Sequence, residues 1–428
     1  MKAIQFWLTI SSLFLTGIAT AQMSDSIYKP NIHTVRLHMY GDQQSLPVYN
    51  INSNDQFELH FDDLDANYKS YYYTFQLCDY DWNPNNLLNP FDYIKGFTQM
   101  RITNYRYSSI AYTKYTHYQA ILPVSNCAPS RSGNYILKVF LDGDTSKLVF
   151  TKRMLALDQK AIVAGRVAQP FTPQLFTTHQ KLIFTADIKG LNAFSAGQQV
   201  KVVVLQNNRW DNAERDIQPT YIRGSVLEYN TENNSIFPGG KEWRWLDLRS
   251  FRLLSDRVKT GEYKKATPDI YVVPDVDRSG QKYVYYRDLD GMYSIETYET
   301  INPHTQGEYG NVYFSFTPPD NRPYANRNLY LFGQMTDYKI NESTKMTFNA
   351  DKGVYEGHAF LKQGYYSYGY LATDNNGAIL PNAFEGNYWE TQNSYTILVY
   401  YKAFTDRADQ LIGISRITSR TDRPGFSF

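Results

Sequence analysis

Apolar and polar residues alternate one for one along short runs of this chain. Val35, Leu37 and Met39 are interleaved with Arg36 and His38, and Phe57, Leu59 and Phe61 with Glu58 and His60. An extended backbone points successive side chains to opposite faces, so a period of two predicts strands with one buried face. An amphipathic helix would need a period of 3.6, and no such pattern runs beyond about two turns. The same reading places strands at Tyr71 to Leu77, Tyr135 to Leu141, Lys147 to Leu157, Leu182 to Ile188 and Val200 to Leu205. Asp142-Gly143 is a hairpin signal, and so is Asp290-Gly291 between expected strands Tyr283 to Asp288 and Met292 to Tyr298. Tyrosine fits this picture. The chain holds 38 Tyr, more than its Leu, and Tyr suits strand positions with the ring on a core and the hydroxyl at water. The fold class is all-β.

A chain of 428 residues makes roughly two to four domains. Turn clusters and strand spacing divide it into three consecutive immunoglobulin-like or early-set β-sandwich modules. They are an N-terminal sandwich over 28–158, a middle sandwich over 159–303 and a C-terminal sandwich over 304–418. Within the middle module, Ile236 to Leu254 reads as a long connection carrying Trp243 and Trp245. Residues 419–428, polar with Pro424 and Gly425, read as a disordered tail. At the other end, Lys2, an apolar run from Ile4 to Ile18 and Ala19-Thr20-Ala21 read as a signal peptide over 1–21, with the mature chain starting at Gln22. The expected location is the periplasm. The apolar run is shorter than the ~20 residues a membrane helix needs, and no later run approaches that length, so no direct membrane insertion is expected. Cys78 and Cys127, in an exported chain, form either a disulfide or two inert buried thiols.

Forty-three Lys plus Arg balance 42 Asp plus Glu, which gives no electrostatic reason for a nucleic-acid partner. The seven His form no His-Glu-x-x-His, and neither Cys-x-x-Cys nor Gly-x-Ser-x-Gly occurs, so no catalytic, cofactor or metal residue is assigned. Asp275, Asp277 and Gly280 lack the distal Glu of a calcium loop. No cofactor and no small-molecule substrate are expected. Aromatic residues at turns remain. Tyr80 and Trp82 end a strand at Asn83-Pro84, where Trp82 is either a core residue or a partner anchor. Trp243 and Trp245 follow a glycine pair, one expected on the core and the other on a partner.

The third block, with Leu329 to Tyr338, Gly353-Val354-Tyr355-Glu356 and Leu361 to Tyr368, resembles the early-set sandwich of glycogen-binding modules. That resemblance implies a glycan platform at Tyr338 and Trp389, and an exported glycan-binding protein is the alternative reading, with an unrecognised hydrolase behind it. A second resemblance covers about 28 to 418. It is carried by Phe75 to Pro84, Tyr93-Ile94-Lys95-Gly96-Phe97, Tyr115-Thr116-His117-Tyr118, Ser132-Gly133-Asn134-Tyr135, Phe237 to Arg244 and Phe384 to Asn393. Together these runs resemble the type IX secretion system Plug family of Bacteroidetes. The resemblance implies a non-catalytic stopper held at the outer membrane by a protein partner. That partner would be the SprA-type translocon barrel, whose periplasmic mouth the stopper closes.

Overall fold

The computed structural model describes residues 24–191, 193–232, 235–263 and 267–420. The signal-peptide reading and residues 421–428 of the expected tail lie outside them. Among the described residues no helix exceeds four residues, and nearly all regular structure is β.

The first two sheets pack face to face. One holds Ile32–Met39, Phe57–Asp63, Thr116–Leu122 and Asn104–Tyr107 in that order. The other is built around Tyr71–Cys78, Gly133–Leu141 and Leu148–Leu157. Phe57, Leu59 and Phe61 meet Tyr73, Phe75, Leu77, Tyr135, Leu137 and Val139 in the core between them. Asp142 and Gly143 both take positive φ at the hairpin after Leu141, as the Asp-Gly pair requires.

The second of these sheets is buried on both faces. Ile136, Leu155 and Leu157, of opposite parity to the core residues, pack onto Val203, Leu205, Leu398, Tyr400 and Leu411. Those belong to a three-stranded sheet of Val200–Gln206, Ser394–Tyr401 and Gln410–Thr418. This sheet is buried on its far face as well: Val202, Val204, Ile397 and Val399 meet Leu182, Phe184, Ala186 and Leu227 of a fourth sheet around His179–Asp187. Four sheets are therefore stacked without a polar break. The near-continuous apolar runs Val200–Leu205 and Tyr395–Tyr401 are what a strand buried on both faces requires.

The middle body thus draws strands from both sides of a long insertion. Residues between Ile236–Pro238 and Ser394–Tyr401 form a separate two-sheet body with its own core of Leu246, Ile270, Phe314, Leu331 and Tyr368. The expected boundary at 303/304 falls inside it. Asp269–Val272 pairs in parallel with Tyr309–Thr317, across the Asn302-Pro303 turn that had suggested a border. That turn is only a one-turn helix, Pro303–Gln306, capped by the Asn302 side chain.

Three local expectations also change. Ile236 to Leu254 is not merely a connection, since Arg244–Asp247 pairs with Tyr365–Tyr368. Tyr283 to Asp288 is not a strand: it pairs with no sheet, and the Tyr283 and Tyr286 hydroxyls instead bond Glu242. Ser419, expected in the tail, is buried and exchanges backbone and side-chain hydrogen bonds with Asn393.

Candidate functional site

A cleft of about 420 Å³ lies between the middle body and the insertion. Its floor begins at Gly239-Gly240. A Cβ on Gly239 would stand 2.0 Å from the Tyr388 carbonyl oxygen, and Gly240 has φ +66, so both positions favour glycine. The extended run that follows buries Glu242, Arg244 and Leu246 and leaves Trp243 and Trp245 half-buried. Trp243 and Trp245 therefore share one face, contrary to the expected split, because residues two apart on a strand point the same way.

Trp243 packs against rings of its own body. Its ring lies over Phe332 at 6.2 Å and edge-on to Tyr338 at 6.3 Å. Arg209 of the middle body puts its guanidinium 5.4 Å from Trp243, 5.1 Å from Phe332 and 5.2 Å from Tyr338. Asp211 pairs with that guanidinium at 2.6 Å. Three aromatic rings thus clasp one cation across the cleft. The Tyr338 hydroxyl donates to the Gly291 carbonyl, so this ring is used internally and is not a free glycan platform. Trp389 is half-buried, and its main chain is tied to Thr177 and Gln180.

Behind the clasp lies a charged network. Arg244 bonds Asp275 at 2.8 Å and Glu385 at 3.1 Å; Arg257 bonds Asp275 at 2.6 Å, and Arg278 bonds Glu385. Tyr368 and Tyr370 each donate to Asp275 at 2.8 Å. Burial would raise the Glu385 carboxyl, but Arg244 and Arg278 outweigh it and hold it down at about 2. Asp275, weighed as part of a calcium loop, is committed to arginine. These paired charges position the cleft walls and leave no free nucleophile among themselves.

Trp82 and Tyr80 fall at the joint between the first and middle bodies. Trp82 is fully buried, edge-on to Trp210 at 4.8 Å, with the Arg153 guanidinium 5.0 Å away. It is an internal wedge and not a partner anchor. Tyr80 is half-buried there, its hydroxyl 3.2 Å from Asp216 and Lys201 at 3.7 Å from its ring centroid. Trp245 packs edge-on against Tyr286 at 4.8 Å, with Arg257 near its face. Cys78 and Cys127 are both free. The disulfide is not formed because Cys78 has the parity of the inter-body face, whereas Cys127 lies in the first sandwich core. Burial pushes each thiol up to about 12.

Two features escaped sequence reasoning. The first is an exposed aromatic edge. Asn104–Tyr107 is the outer strand of its sheet and is exposed at every residue. Tyr105 lies tilted against Tyr68 at 4.8 Å and Tyr107 stands edge-on to Tyr105, with Ile110 and Tyr112 exposed beyond. The Tyr-x-Tyr spacing was the available signal, since both rings must share a face. The second is a histidine cluster that could hold a metal ion. It unites His60, His117 and His304, with His38 and Glu58 beside His60. Its members come from separate segments, so no local motif announces it.

Comparison with known proteins fixes the family of the first body. Residues 32–158 match the family model described as type 9 secretion system plug protein 1st domain. The N-terminal body belongs to the type IX secretion system plug family. The whole architecture is shared with a solved structure: a hypothetical protein from Parabacteroides merdae ATCC 43184 is 28% identical and aligns with a TM-score of 0.88 over 93% of this chain and 100% of that one. Escherichia coli alpha-2-macroglobulin activated by porcine elastase aligns at 9% identity over 90% of this chain and 34% of that one, and its TM-score of 0.17 carries no argument. No curated protein matches the chain. No helix among the described residues is long and apolar enough to cross a membrane.

Proposed function

We propose that the mature protein is a periplasmic stopper that docks on the SprA-type outer-membrane barrel and closes its periplasmic mouth between cargo passages. The match of residues 32–158 to the plug family carries this reading. The architecture supports it. A stopper must resist deformation, and four sheets stacked through continuous apolar layers give a body with no soft joint between its first two units. It also needs contact surface, and the tyrosines of the exposed edge at Asn104–Tyr107 supply broad rings with little rotamer entropy to lose. The near-balance of charge suits reversible docking without strong steering.

The test is retention of the tagged mature chain on a very large barrel in detergent-solubilised envelope, together with the permeability of a deletion strain to bulky antibiotics. Co-purification and a leaky deletion strain are expected. A chain that elutes alone, with permeability unchanged in its absence, would overturn the reading.

A further inference from the structure

The histidine cluster sits where the first body meets the insertion. His60 and His117 stand on neighbouring strands, Phe57–Asp63 and Thr116–Leu122, and His304 on the one-turn helix Pro303–Gln306. His60 and His117 are buried and His304 is half-buried. One imidazole nitrogen from each lies within 4.8 Å of the other two. His60 Nδ1 and His117 Nε2 share a hydrogen bond at 3.1 Å, which a bound ion would replace. Two nitrogens bound ~2.0–2.1 Å from one tetrahedral ion would be separated by little more than that.

The surroundings resemble those of a metal ligand set. Asp62 Oδ1 accepts from His117 Nδ1 at 2.6 Å, which fixes the tautomer and turns the Nε2 lone pair toward the cluster. Asp62 Oδ2 in turn accepts from Lys362 and from the Tyr309 hydroxyl, both at 2.6 Å. Asp62 is paired with Lys362, and Glu58 lies 3.9 Å from His60. No hydrogen bond holds a ring nitrogen of His304 among the described residues. Its ring lies parallel to His60 at 4.1 Å, so binding an ion requires that ring to tilt until its lone pair converges with the others. A second cavity, of about 160 Å³, opens directly onto His117 and His304 and is walled by Asn104, Arg106, Gln119 and Asn302. It has room for a water ligand and a path for ion entry.

We propose that His60, His117 and His304 bind one Zn²⁺, with a water from the adjoining cavity as fourth ligand, and that the ion staples the first body to the insertion. Three imidazoles and an open position suit zinc, and nitrogen ligands exclude the hard cations that prefer oxygen. Asp62 acts as a positioning residue through His117.

The experiment uses the full mature chain stripped with a chelator. Zinc titration by calorimetry should give one saturable equivalent. Co²⁺ substitution should give the intense visible bands of a tetrahedral nitrogen site. His304→Ala removes a half-buried ligand at small folding risk and should abolish both signals, whereas His358→Ala, an exposed histidine elsewhere, should leave them unchanged. Asp62→Asn should weaken binding by roughly 10–100-fold, provided its circular dichroism matches the parent. No saturable uptake by the stripped parent, or uptake that survives His304→Ala, overturns the proposal.

Discussion

At the scale of single residues, aromatic rings and buried arginines decide the joints. Trp82 takes φ +68 and is fully buried between two bodies, where it replaces what a linker would leave open. Trp82→Ala should cost about 3–5 kcal/mol, the range for emptying a large buried site, measured as a shift in denaturant midpoint. If the change is nearly neutral, the joint is not packed as described. Glu385 makes a different prediction. Its carboxyl is held down from 4.5 to about 2, so its folded state is favoured fully above pH 4.5 and that contribution fades as pH falls toward 2. Acid titration of stability should show this loss. Glu385→Gln should flatten that limb while lowering stability at neutral pH by about 3–5 kcal/mol, because Arg244 and Arg278 are left with an uncharged partner. An unchanged acid limb in the variant would place the titration elsewhere.

At the scale of elements, the exposed strand Asn104–Tyr107 separates binding from stability. It is bonded on one side only, to Thr116–Leu122, and lies outside the core. Replacing Tyr107 and Tyr112, 54% and 69% exposed, by Asp should leave the melting transition within about 0.5 kcal/mol of the parent. The same pair should reduce recovery with the barrel in the envelope pull-down if this edge is a docking surface; full recovery would move that surface elsewhere. Strands of this kind were only partly legible. Where one face is buried, as at Phe57–Asp63, alternation located the strand closely. The strand Gln410–Thr418 carried Gly413, Ser415 and Arg416 among its apolar residues and gave no clear period. Tyr283 to Asp288 misled in the opposite sense, because tyrosines with β propensity there serve hydrogen bonds to Glu242 and not a sheet. Trp243, Trp245 and Trp82 were visible as candidates, but whether a ring meets solvent depends on which body covers it, and no local pattern encodes that.

At the scale of the whole molecule, the decisive fact is that the middle body closes around an insertion. Three equal modules in a row were a natural reading of turn spacing, yet Val200–Gln206 pairs with Ser394–Tyr401 across almost two hundred intervening positions. Sequence order does not state such a return. The insertion leaves and re-enters at one place: Thr391 Oγ1 donates to the Gly240 carbonyl at 2.8 Å, and Asn393 Nδ2 to the Gly239 carbonyl at 2.8 Å. Excising residues 242–388 and joining the ends with a short Gly-Ser linker should therefore leave a smaller protein that still melts in one cooperative step, at reduced stability because Arg209 loses its three rings. Stopping the chain at 303 should do far worse. That truncation removes Ser394–Tyr401 and Gln410–Thr418, strips Leu398, Tyr400 and Leu411 from the sheet of the first body, and exposes Ile136 and Leu155 to water. Aggregation and loss of a sharp transition in circular dichroism are expected for the truncated chain. A truncated chain that melted as sharply as the excised one would show that the two-sided sheet does not depend on the returning strands, and with it the stacked core would lose its role as the source of stiffness.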